Sequence, residues 1–141
     1  MLRLPMDAAN YLFVYGTLMR GFDNPNAQLL HKTGRYVSAA WMPGRLFRVE
    51  WYPGALYEPT CDGKVHGEVY ALEEPLALFA QLDVYEGIGD TFPQPWEYVR
   101  TQVPVQREAV ADNPILAWTY LYNHPVERLT PLPSGDFRLP I

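Results

Sequence analysis

A carboxylic acid can exchange protons near neutral pH only where its charge is disfavoured, and Glu86 has such a sequence neighbourhood. The apolar spacing upstream predicts a helix that ends at Glu86-Gly87. A negative charge there meets the negative pole of the helix dipole. Asp83, one turn earlier, adds a like charge, and burial beside Tyr85 or Phe92 would act in the same direction. The ordinary alternative is a solvated carboxylate at a helix end. A second stretch with chemical potential lies at Tyr11-Leu12-Phe13-Val14-Tyr15-Gly16-Thr17-Leu18. Five apolar or aromatic residues in a row read as a strand buried on both faces, and Gly16 interrupts them. A glycine at that point permits a sharp turn or the close approach of another group. The amides of Gly16, Thr17 and Leu18 would then form a concavity for a small anion such as a carboxylate. Here the ordinary alternative is a core strand that ends in a plain turn.

Other chemistries find little support. His31, His66 and His124 have no metal-ligand spacing with one another or with Cys61. The serines, Ser38 and Ser134, sit in no Gly-x-Ser-x-Gly elbow, and no Gly-x-x-x-x-Gly-Lys phosphate loop occurs. Cys61 is the single cysteine, which rules out an intrachain disulfide and suits a reducing, cytoplasmic setting. A net charge of −5 gives no footprint for nucleic acid, and no run is long and apolar enough to predict a membrane span.

The elements that must position these residues are short. Fourteen prolines against ten glycines disfavour long helices, while 141 residues, 48% of them hydrophobic, suffice for one domain with a real core. Residues 1–10 read as a leader and residues 11–141 as that domain. Asn24-Pro25 is a helix start, with Gly34 as its stop. Residues 35–49 are expected as two strand pieces broken at Pro43-Gly44. A short strand follows Pro53, then a hairpin turn at Cys61-Asp62-Gly63. Val65, Gly67, Val69 and Ala71 alternate with His66, Glu68, Tyr70 and Leu72, as in a strand with one buried face. Pro75 opens the second helix, with Leu76, Phe79, Leu82 and Asp83 on one face. Residues 88–94 are a loop, and residues 97–106 form a strand whose Pro104 marks an edge or a bulge. Residues 115–122 are the last strong strand, and from Pro125 onward loop is expected. The sum is an α+β fold with one mixed sheet of about six or seven strands and two short helices.

Tyr15-Gly16-Thr17-Leu18 with Arg20-Gly21 resembles the signature of the γ-glutamylcyclotransferase-like (AIG2-like) family, which includes the γ-glutamylamine cyclotransferases. Further matches follow in order: Leu82-Asp83-Val84-Tyr85-Glu86-Gly87, then Tyr98-Val99-Arg100, Ala117-Trp118-Thr119-Tyr120 and Ser134-Gly135-Asp136-Phe137. The resemblance implies a sheet curled into a small barrel with a pocket at one end. It implies Glu86 as catalytic acid/base, with Tyr15, Gly16, Thr17, Leu18, Tyr98 and Tyr120 around the substrate. It implies a small γ-glutamyl substrate that closes on itself to 5-oxoproline, with no metal or cofactor required. Two alternatives stay open: a metabolite-binding or adaptor domain that keeps the pocket without turnover, and removal of a γ-glutamyl protecting group in biosynthesis. Arg100 could steady a carboxylate or form a rim ion pair. The stretch between Glu86 and Tyr98 is longer than the family pattern leads one to expect, so either Trp96 or Tyr98 could form the pocket wall. The leaving amine and the oligomeric state are not encoded legibly.

Overall fold

The computed structural model describes residues 11–139; the proposed leader, residues 1–10, lies outside them. In chain order the elements are β1 (Tyr11–Val14), α1 (Pro25–Thr33), β2 (Gly34–Arg48), β3 (Pro53–Tyr57), β4 (Lys64–Leu72), α2 (Pro75–Tyr85), β5 (Tyr98–Arg107), β6 (Val110–Tyr122) and β7 (Thr130–Pro131). Strands β2, β4, β1, β6 and β5 pair in that order, and β5 returns to β2 through Ala40↔Arg107 and Trp41↔Gln106, which closes a five-stranded barrel. The barrel is mixed because β1 runs parallel to β6, with Leu12 opposite Trp118, while its other neighbours are antiparallel.

β1 is buried on both faces, as its unbroken apolar run requires. Phe13 joins Met42, Val65, Val69, Val103 and Val105 inside the barrel. Leu12 and Val14 point the other way, against Leu30 of α1 and Leu78, Phe79 and Leu82 of α2. The two helices thus cover one flank of the barrel, and β1 lies between two cores. α1 begins as its sequence dictates: Asn24 Oδ1 accepts the Ala27 N–H at 2.8 Å, and Pro25 takes the first helical position.

Several expectations need correction. Pro43-Gly44 does not break β2 but marks where it changes partners. Pairing with β4 runs as far as Pro43↔Lys64, and pairing with β3 begins at Gly44↔Tyr57. An added Cβ on Gly44 would lie 1.9 Å from the Leu56 carbonyl oxygen, so only glycine permits this crossing. Residues 61–63 turn, yet no hairpin forms, because β3 and β4 each pair with β2 and not with each other. The turn carries the chain from one edge of β2 to the other: the Glu58 N–H donates to the Pro43 carbonyl, and the Gly44 N–H donates to that of Gly63.

β4 is buried on both faces, with Glu68 and Tyr70 as enclosed as Val65 and Val69. On α2 the inward face is Leu78, Phe79 and Leu82; Leu76 is 85% exposed, and Asp83 is half-buried. Glu86 continues that inward face, one turn beyond Leu82. β6 starts earlier than expected, at Val110, and a two-residue β7 appears beyond Pro125. Pro104 fits its expectation: it pairs only with Leu116 of β6, and a bulge follows between Val105 and Arg107.

Candidate active site

A cavity of about 390 Å³ opens where the C-terminal ends of β1 and α2 meet the β2–β3 loop and the start of β5. That is within the usual size of a small-molecule site. Gly16, just past β1, is close to Pro53: a Cβ on it would lie 2.8 Å from Pro53 Cγ. Its requirement is therefore close approach and not a left-handed backbone. The next turn is held by its carbonyls. Gly16 O accepts the Met19 N–H at 3.1 Å, Thr17 O accepts from Asn24 Nδ2 at 2.8 Å, and Leu18 O accepts from His31 Nε2 at 2.8 Å. Peptide planarity then fixes the amides of Thr17 and Leu18, which follow the first two of those carbonyls. The N–H groups of Gly16, Thr17 and Leu18 have no acceptor among the described residues. All three residues line the cavity.

Glu86 ends α2. Its N–H donates to Leu82 O at 2.9 Å, and Gly87, at φ 80°, turns the chain away. Its side chain enters the same cavity. Glu86 as a whole is half-buried because the cavity has a mouth, but its carboxyl group is surrounded by protein. Burial is the largest influence on that carboxyl, followed by the charges of Glu97 and Asp83, and together they push its pKa up to about 8. The Asp83 carboxylate is itself paired. Arg100 holds it with two bonds of 2.9 and 3.1 Å, and the Tyr120 hydroxyl donates to it at 2.7 Å. Arg100 thus steadies a carboxylate of the protein itself, its guanidinium lying over the Phe79 and Trp118 rings.

The sequence-predicted tyrosines line the same cavity, with their hydroxyls committed elsewhere. Tyr15 donates to the Tyr120 carbonyl at 2.6 Å and accepts the Ala55 N–H at 3.2 Å; Tyr98 donates to the Pro53 carbonyl at 2.6 Å. Burial, reinforced by nearby negative charge, raises the pKa of Tyr15, Tyr98 and Tyr120, so these phenols stay neutral. They are walls and braces. Of the two residues open for the pocket wall, Tyr98 lines it; Trp96 is not among the lining residues, and its indole nitrogen is buried without a partner. The Thr17 and Tyr85 hydroxyls, 2.9 Å apart, tie the amide turn to the end of α2.

Sequence reasoning missed Trp51, Tyr52, Glu97, Thr119 and His124, which also line the cavity. Thr119 carried a legible signal. It is a hydroxyl between Ala117 and Leu121 on one face of β6, and its Oγ1 is fully buried with no partner among the described residues.

The family model for "Gamma-glutamyl cyclotransferase, AIG2-like" matches residues 12–139, and the chain belongs to that family. It is 33% identical over 130 residues to the γ-glutamylcyclotransferase family protein YtfP of Citrobacter rodentium, covering 89% of this chain and 93% of the relative. The crystal structure of an AIG2-like protein from Mus musculus superposes with a TM-score of 0.67 at 26% identity, covering 93% of this chain and 90% of that one. YkqA from Bacillus subtilis superposes with a TM-score of 0.66 at 26% identity; there the match covers 91% of this chain but 39% of the longer protein.

Proposed function

We propose that this chain is a γ-glutamyl(amine) cyclotransferase that converts a γ-glutamyl amide to 5-oxoproline and a free amine, with Glu86 as general acid/base. Glu86 takes a proton from the substrate's α-ammonium. The freed amine attacks its own γ-carbonyl carbon, a new C–N bond closes a five-membered lactam, and the old amide C–N bond breaks. Glu86 returns that proton to the departing nitrogen, and the second proton, which the ring nitrogen sheds as the lactam forms, also ends on the departing amine; it leaves as an ammonium, so no proton is gained or lost overall. An α-amino group ordinarily titrates near pH 8. A carboxyl raised to about the same value exchanges a proton with it at almost no cost. Because nucleophile and electrophile belong to one molecule, the protein's task is to hold the folded-back conformer. The amides of Gly16, Thr17 and Leu18 would hold the α-carboxylate or the γ-oxygen as it gains charge, between the rings of Tyr15, Tyr98 and Tyr120.

The observation that supports this reading is that a carboxyl with a pKa raised to about 8 and three amides with no acceptor among the described residues line one cavity. The test is 5-oxoproline release from γ-glutamyl amides. Glu86→Gln should lower kcat by roughly 10²–10⁴-fold with KM little changed. Equal rates for the two proteins would remove Glu86 from the reaction. Saturable binding of γ-glutamyl amides without any turnover would favour a metabolite-binding domain instead.

A further inference from the structure

The ring-closing chemistry proposed above leaves one wall of the cavity without a substrate contact, although the charge of Glu97 in that wall helps to raise the Glu86 pKa. That wall is built from Trp51, Tyr52 and Glu97. The Tyr52 hydroxyl donates to Glu97 Oε2 at 2.7 Å, which fixes one carboxylate oxygen. Trp51 packs edge-to-face on Tyr52, ring centroids 4.9 Å apart, and is 65% exposed, so the pair stands at the mouth. No Lys or Arg lines the cavity, and Glu97 forms no ion pair among the described residues. The charge of Glu50 reaches the same place, since it helps raise the pKa of Tyr52 and Tyr122.

An anionic tail would be repelled by this wall, and a neutral tail would desolvate a carboxylate with no return. A cationic tail gains twice, from the carboxylate and from the aromatic faces. We propose that the outer wall is a subsite for a leaving amine that carries a second positive charge, such as a short diamine, with Glu97 as the specificity-determining residue. The proposal rests on the cyclotransferase reading above.

The experiment compares two probes of equal length, mono-γ-glutamyl diaminobutane and γ-glutamyl n-pentylamine, in which a methyl group replaces the distal ammonium. 5-Oxoproline release is measured for the native protein and for Glu97→Gln. The native protein should prefer the diamine in kcat/KM by about tenfold at low salt, and Glu97→Gln should bring the ratio to about one. Added salt should shrink the native preference, because the wall is open to solvent. Equal use of both probes by the native protein overturns the subsite while leaving the cyclotransferase reading intact. So does an equal loss on both probes in Glu97→Gln, which would mean that Glu97 acts on the step common to both, through the α-ammonium or through the Glu86 pKa that it helps to raise. No 5-oxoproline from either probe overturns both readings.

Discussion

At the scale of the residue, the role proposed for Glu86 rests on a carboxyl that is hard to ionise, and its raised pKa gives two signed expectations. The first is kinetic. Below its pKa the carboxyl is neutral and cannot accept a proton, and above about pH 8 the substrate's α-amino group loses the proton it must donate. kcat/KM should therefore fall about tenfold per pH unit on the acid side and peak near pH 8. A profile flat from about pH 5.5 to 7.5 would show that no buried acid controls the reaction. The second concerns stability. A carboxyl whose folded pKa lies above its unfolded value stabilises the fold fully below the unfolded pKa. That contribution is lost as pH rises through about 8, where the native state must hold a buried charge. Glu86→Gln removes the charge, so its Tm should exceed that of the native protein by several degrees near pH 8. That corresponds to roughly 1–3 kcal/mol after allowance for the open mouth, and the gap should close near pH 5. Thermal melts of both proteins across that range measure it. The sequence located this acid, but the ranking of causes was not legible. Helix-end repulsion and Asp83 are visible from spacing, whereas burial by the folded chain and the charge of Glu97 depend on the fold, as does the pairing of Asp83 with Arg100.

At the scale of the element, helix termini were legible because their signals are local. Asn24-Pro25 and Glu86-Gly87 each state in two residues where a helix begins or ends. Pairing was less so. Asp62-Gly63 reads as a hairpin, yet β2 is a better partner for both flanking strands, and nothing within ten residues records that. The face of α2 was misread for the same reason: Leu76 fits the helical period, but there is no core beside it. Gly87 joins element to function. At φ 80° it lets the chain leave α2 and leaves Glu86 aimed inward. Space is not its limit, since an added Cβ would meet nothing within 4 Å. The cost of Gly87→Ala is therefore backbone strain alone, about 1–2 kcal/mol. Denaturant titration should show that loss. If relief of strain re-aims Glu86, kcat falls with it; an unchanged kcat would mean that the helix end tolerates the change without moving its acid.

At the scale of the whole molecule, the barrel brings distant chain segments to one buried carboxylate on the flank that α1 and α2 cover. Glu68 of β4 accepts the Arg20 backbone N–H at 2.9 Å, Arg20 Nε at 3.4 Å, the Tyr70 hydroxyl at 2.9 Å and Arg138 Nη1 at 3.4 Å. Its side chain is 2% exposed, whereas those of Arg20 and Arg138 are 58% and 36% exposed. The sequence hid this, because an acid alternating with Val69 in a strand reads as the solvent side. Only closure of the barrel and the return of the C-terminal segment enclose it. Since Arg20 lies two residues past Leu18, Glu68 also holds the chain just beyond the Gly16–Leu18 turn. Removing the acid and removing one of its cations should differ sharply. Glu68→Ala leaves the Arg20 N–H and the Tyr70 hydroxyl without an acceptor and should cost about 3 kcal/mol or more. Arg138→Ala leaves Arg20 in place and should cost about 1 kcal/mol. In a double-mutant cycle followed by denaturation, the Arg138 change should cost almost nothing once Glu68 is gone. Full additivity of the two losses would mean that the C-terminal arginine stabilises the fold through Asp136, its other partner at 2.9 Å, and that the buried acid is held by Arg20 and Tyr70 alone.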